Sequence, residues 1–585
     1  MNYRTIFLAS VLALSVSSWA VAKGIYVAQN EAGTMSGLDA ADANSLAWLN
    51  NATNWGSGVG QVNPGDTVHL VGTFTNSLTI GGSGAVGNPI TILFEPGANF
   101  TSPCWPTTGA INLNGKSWIV IDGGGVGVIQ STNNGTQFGL QQDSTGISEG
   151  GYCNRVTIQN LTITNLYHRQ RGSVADGNRY GAAINILAAD NLTISNCVLS
   201  EGDTMIGYQY VTGTQSNLVI VANTILNCNH GIGIGTAQIN SFLNNVTITR
   251  NRIDHLDVWD GNSALHLDGV IIFNESSDNS GCISNLLFSG NYIGPNIGIT
   301  NTAALFQDVY SSNSVAAWIV ANNLFTAVSP YGWNNGFVCV PYHALIANNT
   351  FVGYSNSCIA LGLGNSPITV RNNIFYQVGT AISMGGGSRG VPIVSGFSSD
   401  YNVFWPVKGG SGYFFDPGYD ADNYAGWIAL GYESHSTVTS EPLVDANYVP
   451  LSTDTVAVGN GTNLTPLAIA ALLVDFNGNP RPATGAWTIG AYQVASATPF
   501  VSLVASPTSI TNGQSTILTW SSVNATKVTL NGIDPVPLNG STNISPAQAT
   551  TYTATATSSN GTNSASVSVT VAPAPPGPPS ELHPQ

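Results

Sequence analysis

Residues 245–253 read NVTITRNRI, and variants of the phrase recur along the chain: TISNCVL at 193–199, VIVANTIL at 219–226 and LLFSGNYI at 286–293. Each is a short run alternating aliphatic with polar or small residues, then a bend, then a second short run. Alternation of this kind is the mark of a strand with one buried face. Asn at 160, 196, 223, 251, 291, 323, 349, 373 and 402 marks the repeat most visibly. Most intervals lie in the twenties, but Asn160 to Asn196 spans 36 residues and Asn251 to Asn291 spans 40. A unit of this length made of short β segments predicts a parallel β-solenoid, one coil per unit, with coils about 4.8 Å apart. The recurrent Asn then fall above one another at a bend, where amides hydrogen-bond along the stack. That role accounts for them without any site.

These coils, from about 107 to 405, resemble the right-handed parallel β-helix of the pectate-lyase-like superfamily. The front, PGDTVHLVGTF (64–74) followed by GNPITI (87–92), resembles the opening region of many secreted β-helix proteins. DFNGNPRPATGAWTIGAYQ (475–493) resembles the segment that commonly closes them. The fold class expected is all-β: a right-handed parallel β-helix over 23–495, with an N-terminal cap and a closing segment, then a small β-sandwich. DAADANSLAWLNNAT (39–53) has helical spacing and suits that cap. From 496 to 572 the runs STILTWSS, TKVTL, TTYTATAT and ASVSVTV alternate strongly, with Asn-Gly turns between them. This stretch resembles a bacterial immunoglobulin-like sandwich with Trp520 in its core, without the Cys pair of antibody domains. Residues 573–585 are a Pro-rich tail.

The first 22 residues read as a secretory signal: Arg4, an apolar run from Ile6 to Val16, and Ala20-Val21-Ala22 before Lys23. No other stretch reads as a membrane span, so the protein is expected to be secreted, extracellular or periplasmic, and monomeric. Only 8% of its residues are charged and the net charge is −16, which excludes the basic face that nucleic acid needs. The seven Cys form no CxxC, so a structural zinc site is not expected. Most read as small buried residues, with room for one or two disulfides.

With so few charges, a local cluster of them is informative. A solenoid takes insertions at its bends, often on one face. The first long interval holds YHRQRGSVADGNRYG (167–181), with His168, Arg169, Arg171 and Arg179. The second holds DHLDVWDGNSA (254–264), with Asp254, His255, Asp257, Trp259 and Asp260, or takes its excess at NESSDNSG (274–281). The strand ALHLDGVIIF (264–273) then follows. Simple alternation puts Leu265, Leu267 and Ile271 on its buried face and His266 and Asp268 on its exposed one. Coils between the long ones supply Asp203 in LSEGDTM and His230 in LNCNHG, and later bends supply Tyr331 and Trp333.

The resemblance implies that the bend before the first strand of each coil walls a substrate groove and that this strand is its floor. The candidate catalytic residues are therefore His266, Asp268, Asp257, Asp203 and His230. His168, Arg169, Arg171 and Arg179 are candidates for binding an acidic sugar, and Trp259, Tyr331 and Trp333 for stacking on sugar rings. Each ring equally fits packing beneath its own loop, and the arginines equally fit pairing with nearby carboxylates. Asp254, Asp257 and Asp260 offer the oxygen ligands Ca²⁺ prefers, although DxxDxxD is no recognised calcium loop. No other cofactor is implied.

A lyase must neutralise a uronate and supply a base. Lys116 is the sole lysine in the coils before 405 and sits away from the cluster, so the base would be His or Arg. A hydrolase needs paired carboxylates, which Asp203, Asp257, Asp260 and Asp268 could supply. EGDTMIGYQ followed one coil later by NHGIGIGT faintly resembles the polygalacturonase family, a likeness reaching only Asp203 and His230. That family's Asn-Thr-Asp triplet, paired Asp-Asp and Arg-x-Lys are absent. The sequence points to a protein of polysaccharides or cell-surface glycans, as a lyase or glycoside hydrolase, or else as a non-catalytic adhesin.

Overall fold

The computed structural model describes residues 22–133, 142–166, 181–236, 238–256, 267–274, 282–297, 302–307, 318–327, 335–339, 343–355, 357–361, 367–384, 396–406, 414–415, 424–429, 431–438, 440–494, 499–531, 533–558 and 561–573. Two compact units divide the chain: one reaches Val211 and resumes over Gln215–Cys228, and the other takes Thr212–Thr214 and the chain from Asn229. Both are built from the same coil, a succession of three short strands that pair in parallel with their counterparts one coil away.

In the first unit Ser144–Ser148 pairs with Gly181–Leu187, the front of Cys153–Thr164 with Ala189–Ser195, and its back with the start of Val198–Gln209. In the second, residues 230–236 pair with Asp268–Asn274, Ser241–Thr249 with Cys282–Ser289, and Arg252–Leu256 with Tyr292–Ile293. These three sets are the first, second and third sheets. The fold is a right-handed parallel β-helix, followed by a small sandwich. Alternation explains each rung. Val246 and Ile248 have no exposed surface, while Thr247 and Thr249 between and after them stay half-exposed.

At the bend between the second and third sheets runs the asparagine ladder. Asn251 Nδ2 donates to Asn291 Oδ1 at 3.0 Å, Asn291 to Asn323 at 3.1 Å, Asn323 to Asn349 at 2.9 Å, Asn349 to Asn373 at 3.0 Å and Asn373 to Asn402 at 3.1 Å. The backbone N–H of each donor residue bonds the same acceptor oxygen. Asn402 donates to both carboxylate oxygens of Glu433, which ends the run. In the first unit Asn223 holds the equivalent place, accepting from the Cys197 N–H at 3.0 Å.

Asn160 and Asn196 correct the sequence reading. They sit one residue before the ladder position, at φ of +56° and +52°, where Asn is tolerated because its short polar side chain suits the left-handed region. Cys197 takes the ladder place in that coil. Inside the second unit Phe325, Phe351, Phe375 and Phe404 stack one per coil at centroid distances of 4.8, 5.3 and 5.0 Å.

The N-terminal stretch is more broken than its spacing suggests. It folds as a 3-10 turn Ala40–Asp42 capped by Asp39, a single α turn Leu46–Leu49 capped by Ser45, and a second 3-10 turn Ala52–Asn54. Three N-capping side chains in 13 residues start three separate short turns in place of one helix. The closing segment is tied down by Arg481, which is 5% exposed. Its guanidinium donates to the Thr488, Gly490 and Ala491 carbonyls and to Asn322 Oδ1.

In the sandwich, strands Phe500–Ser506, Thr516–Val523 and Gly540–Ile544 form one sheet, and five strands including Lys527–Leu530, Thr550–Ser558 and Gly561–Ala572 form the other. Trp520 is buried between them beside Leu518, Val528 and Val569. Among the described residues no helix is long and apolar enough to cross a membrane. Cys104, Cys153, Cys197, Cys228 and Cys358 are free thiols. The expected signal sequence lies outside the described residues, except for Ala22, and so does the tail except for Pro573.

Candidate functional site

The first sheet carries a feature that simple alternation does not predict. In each coil two consecutive residues turn inward: Ala183 and Ile184, Met205 and Ile206 in the first unit; Ala303 and Ala304, Cys358 and Ile359, Ala381 and Ile382 in the second, all fully buried. The pairing skips the first of them. His230 pairs with Asp268 and Ile232 with Val270, with Gly231 and Gly269 left between. A methyl group on Gly231 would lie 2.9 Å from Ile253 Cγ2 and 2.4 Å from the Gly269 oxygen, so this inward place admits little bulk. The kink resets the alternation. The residue before it turns away from the core, and on consecutive strands of the second unit those residues are His230, Asp268 and Thr302.

This geometry corrects two expectations. Val270 and Ile272, not Ile271, are fully buried, because the inward phase shifts by one at Gly269. Asp268 is not exposed: it lies between His230 and Thr302 in the ladder, follows buried Leu267, and has no accessible surface. It therefore cannot itself meet a substrate in this conformation. His230 is half-exposed. Beyond the kink residues 231–236 are all buried. Ile271 is half-buried, and the Phe273 ring lies over Gly235, where an added methyl would fall 2.3 Å from it.

Of the calcium candidates, Asp254 alone lies among the described residues. Asp254 is 2% exposed. Its Oδ1 accepts from the His255 N–H at 2.8 Å, the Asn296 N–H at 3.0 Å and Asn296 Nδ2 at 3.2 Å. Its Oδ2 holds Arg252 at 3.0 Å and lies 3.4 Å from His255 Nδ1. Both oxygens are engaged in shaping the bend, beside a guanidinium cation. Among the described residues no group of three or more His, Cys, Asp or Glu is placed to hold a metal.

Asp203 is half-buried, accepts from the Thr204 hydroxyl at 3.0 Å, and belongs to the first unit. His168, Arg169, Arg171, Arg179, Asp257, Trp259, Asp260, His266, Tyr331 and Trp333 lie outside the described residues. The segments bearing them each fall, along the chain, between a third-sheet strand and the next first-sheet strand.

Two titratable groups carry no repeat signature and escape sequence reading. Glu149 follows the first-sheet strand Ser144–Ser148; burial pushes its carboxyl above the ordinary range, against two backbone hydrogen bonds. The other is His435, 35 residues from its partner. Its Nδ1 lies 2.7 Å from Asp400 Oδ2 and 3.0 Å from Ser434 Oγ, and its ring stacks on Tyr401 at 4.6 Å. Burial pushes the Asp400 carboxyl up, but the bonds from His435 and Tyr401 outweigh it and hold it below the usual range. Serine and carboxylate meet the same ring nitrogen, whereas a nucleophile relay engages opposite ones. This cluster is a fastening, not a triad.

No family model matches the chain, and no curated protein matches it. Solved structures do. The crystal structure of pectate lyase Pel9A is similar over 81% of this chain and 97% of its own, at 13% identity and a TM-score of 0.37. The complex of XylC with xylose covers 81% and 98%, at 10% identity and 0.42. DFA-IIIase from Arthrobacter chlorophenolicus A6 with GF2 covers 63% and 90%, at 12% identity and 0.30. Likeness of this degree carries nothing about chemistry.

Proposed function

We propose that this protein is a secreted carbohydrate-active enzyme that cleaves a polysaccharide lying along the first sheet, with His230 as the proton-transferring residue and Asp268 as the residue that positions it. The observation that carries the reading is the ladder pairing of the two on neighbouring strands, a half-exposed imidazole beside a carboxylate with no surface. Parallel strands lie about 4.8 Å apart, within side-chain reach. A carboxylate beside an imidazole can fix its tautomer and orientation. Half-buried Ile271 and Phe273 on the Asp268 strand offer apolar surface that suits the flat faces of sugar rings. The chain segments bearing Asp257, His266, Trp259, Tyr331 and Trp333 precede first-sheet strands and are proposed to add walls and further polar groups.

The test is a glycan panel, incubated with and without EDTA, read both by the ultraviolet absorbance of unsaturated uronates and by new reducing ends. Absorbance marks a lyase, reducing ends alone a hydrolase. His230→Ala should lower cleavage by roughly 10²–10⁴-fold, the usual contribution of a positioned acid or base. Asp268→Asn should lower kcat and move the pH profile while leaving KM near its original value. Binding without cleavage of any glycan by the unaltered protein would favour the adhesin reading. Full activity in His230→Ala would remove the dyad.

A further inference from the structure

At the bend between the second and third sheets Arg250 precedes the ladder residue Asn251, and Arg252 opens the third-sheet strand Arg252–Leu256. A cavity of about 580 Å³ opens over them, within the range of roughly 300–1,000 Å³ common for small-molecule sites. It lies wholly in the second unit. Its floor is the third-sheet face at Tyr292, and its far wall comes from two turns of the closing region, at Tyr448 and Phe476.

The polar groups here differ in how far they are committed. Arg252 is fixed: it stacks on the Tyr292 ring at 4.7 Å and holds Asp254 at 3.0 Å. The Arg250 guanidinium has no hydrogen-bond or ion-pair partner among the described residues, although its backbone is pinned to Ser289. Asn447 and Asn477 also line the cavity. Their backbone N–H groups bond Asp445 and Asp475, which sets the two turns and leaves both side-chain amides directed at no protein partner among the described residues. Asp445 and Asp475 are the nearest acids on the closing side, and both have an oxygen tied to these backbone bonds and are absent from the lining. The lining itself therefore carries positive charge, on a chain whose net charge is −16.

We propose that this cavity is a second saccharide-binding site, separate from the first-sheet surface, that takes an acidic sugar unit. The Arg250 fork meets the carboxylate, the Asn447 and Asn477 amides meet ring hydroxyls, and the sugar's apolar face lies against Tyr448 or Phe476. A guanidinium pairs with a carboxylate through two parallel hydrogen bonds, which a neutral sugar cannot offer. A site of this kind retains the chain on an anionic polymer that its overall charge would otherwise repel.

Full-length protein is titrated calorimetrically with tetramers of galacturonate, mannuronate and glucuronate, and with cellotetraose as the neutral control. Hydrogen exchange localises any binding. At least one uronate tetramer should bind and protect 446–449 and 476–477 from exchange, and cellotetraose should not. Arg250→Gln should weaken that binding about tenfold or more, the loss of a charge-assisted bond, with Arg250→Lys recovering part of it. Asp268→Asn should leave the protection at 446–449 intact, which separates this site from the proposed cleavage site. No binding by any uronate, equal binding of cellotetraose, protection confined to other segments, or unchanged affinity in Arg250→Gln would each overturn the proposal.

Discussion

Replacing Asn349 by alanine tests whether the ladder is a chain of obligatory bonds. Asn349 has no exposed surface. Its Oδ1 accepts from the Asn323 N–H at 2.9 Å and from Asn323 Nδ2 at 2.9 Å. Its Nδ2 donates to the Val320 carbonyl at 2.9 Å and to Asn373 Oδ1 at 3.0 Å. Some neighbours are insured. Asn323 Nδ2 keeps the Phe288 carbonyl at 3.0 Å, and Asn373 Oδ1 keeps the Asn349 N–H at 2.9 Å. The Asn323 backbone N–H is not, and it becomes a buried orphan. One orphan donor costs about 1–3 kcal/mol and each of the three other lost bonds about 1, so Asn349→Ala should cost about 4–6 kcal/mol. Asn196→Ala is the control. It changes a left-handed position without touching the ladder acceptor, and should cost only about 1 kcal/mol. Equilibrium denaturation of the full chain, followed by tryptophan fluorescence, measures both. Equal losses, or a loss below about 1 kcal/mol for Asn349→Ala, would refute the account.

Two further outcomes follow from the fold. Burial raises the Glu433 carboxyl above its ordinary 4.5, against bonds from Ser399, Ser436 and Asn402. The folded chain thus holds this proton more tightly than the unfolded one. Its stabilising contribution is complete below the unfolded value and is lost as pH rises through the folded one. Glu433→Gln should therefore gain stability relative to the parent between pH 4 and pH 7, read as a widening difference in Tm; a constant difference would show the carboxyl is not responsible. Removing 497–585 should leave the coil transition in calorimetry unchanged, because the sandwich strands close on their own core around Trp520. A lower coil Tm would show that the two share stabilising contacts.

What was legible in the sequence is what repeats. Asn291, Asn323, Asn349 and Asn373 each occupy one chemically equivalent place, so spacing alone finds them. Asn160 and Asn196 mislead because asparagine suits two adjacent places in that bend, the left-handed residue and the ladder residue after it. Asp268 was placed correctly along the chain, but not its burial, since the kink at Gly269 breaks the two-residue period that such readings assume. The Arg250 cavity escaped for another reason: nothing in NVTITRNRI sets Arg250 and Arg252 apart from the rest of the repeat. Only the return of the chain at Tyr448 and Phe476, some 200 residues later, turns that face into a container.

The ladder also bears on how such a molecule can change length. Every joint from Asn251 to Asn402 is the same amide-to-amide link, and only its terminus on Glu433 is unique. Excising or duplicating one whole turn between Asn323 and Asn373 would rejoin like to like. The Phe stack, the local loops and the closing region, which bonds Asn322, Thr350 and Asn372, would have to adjust. The number of turns, and with it the length of the first sheet, is thus open to evolution in whole steps, while the terminator stays put.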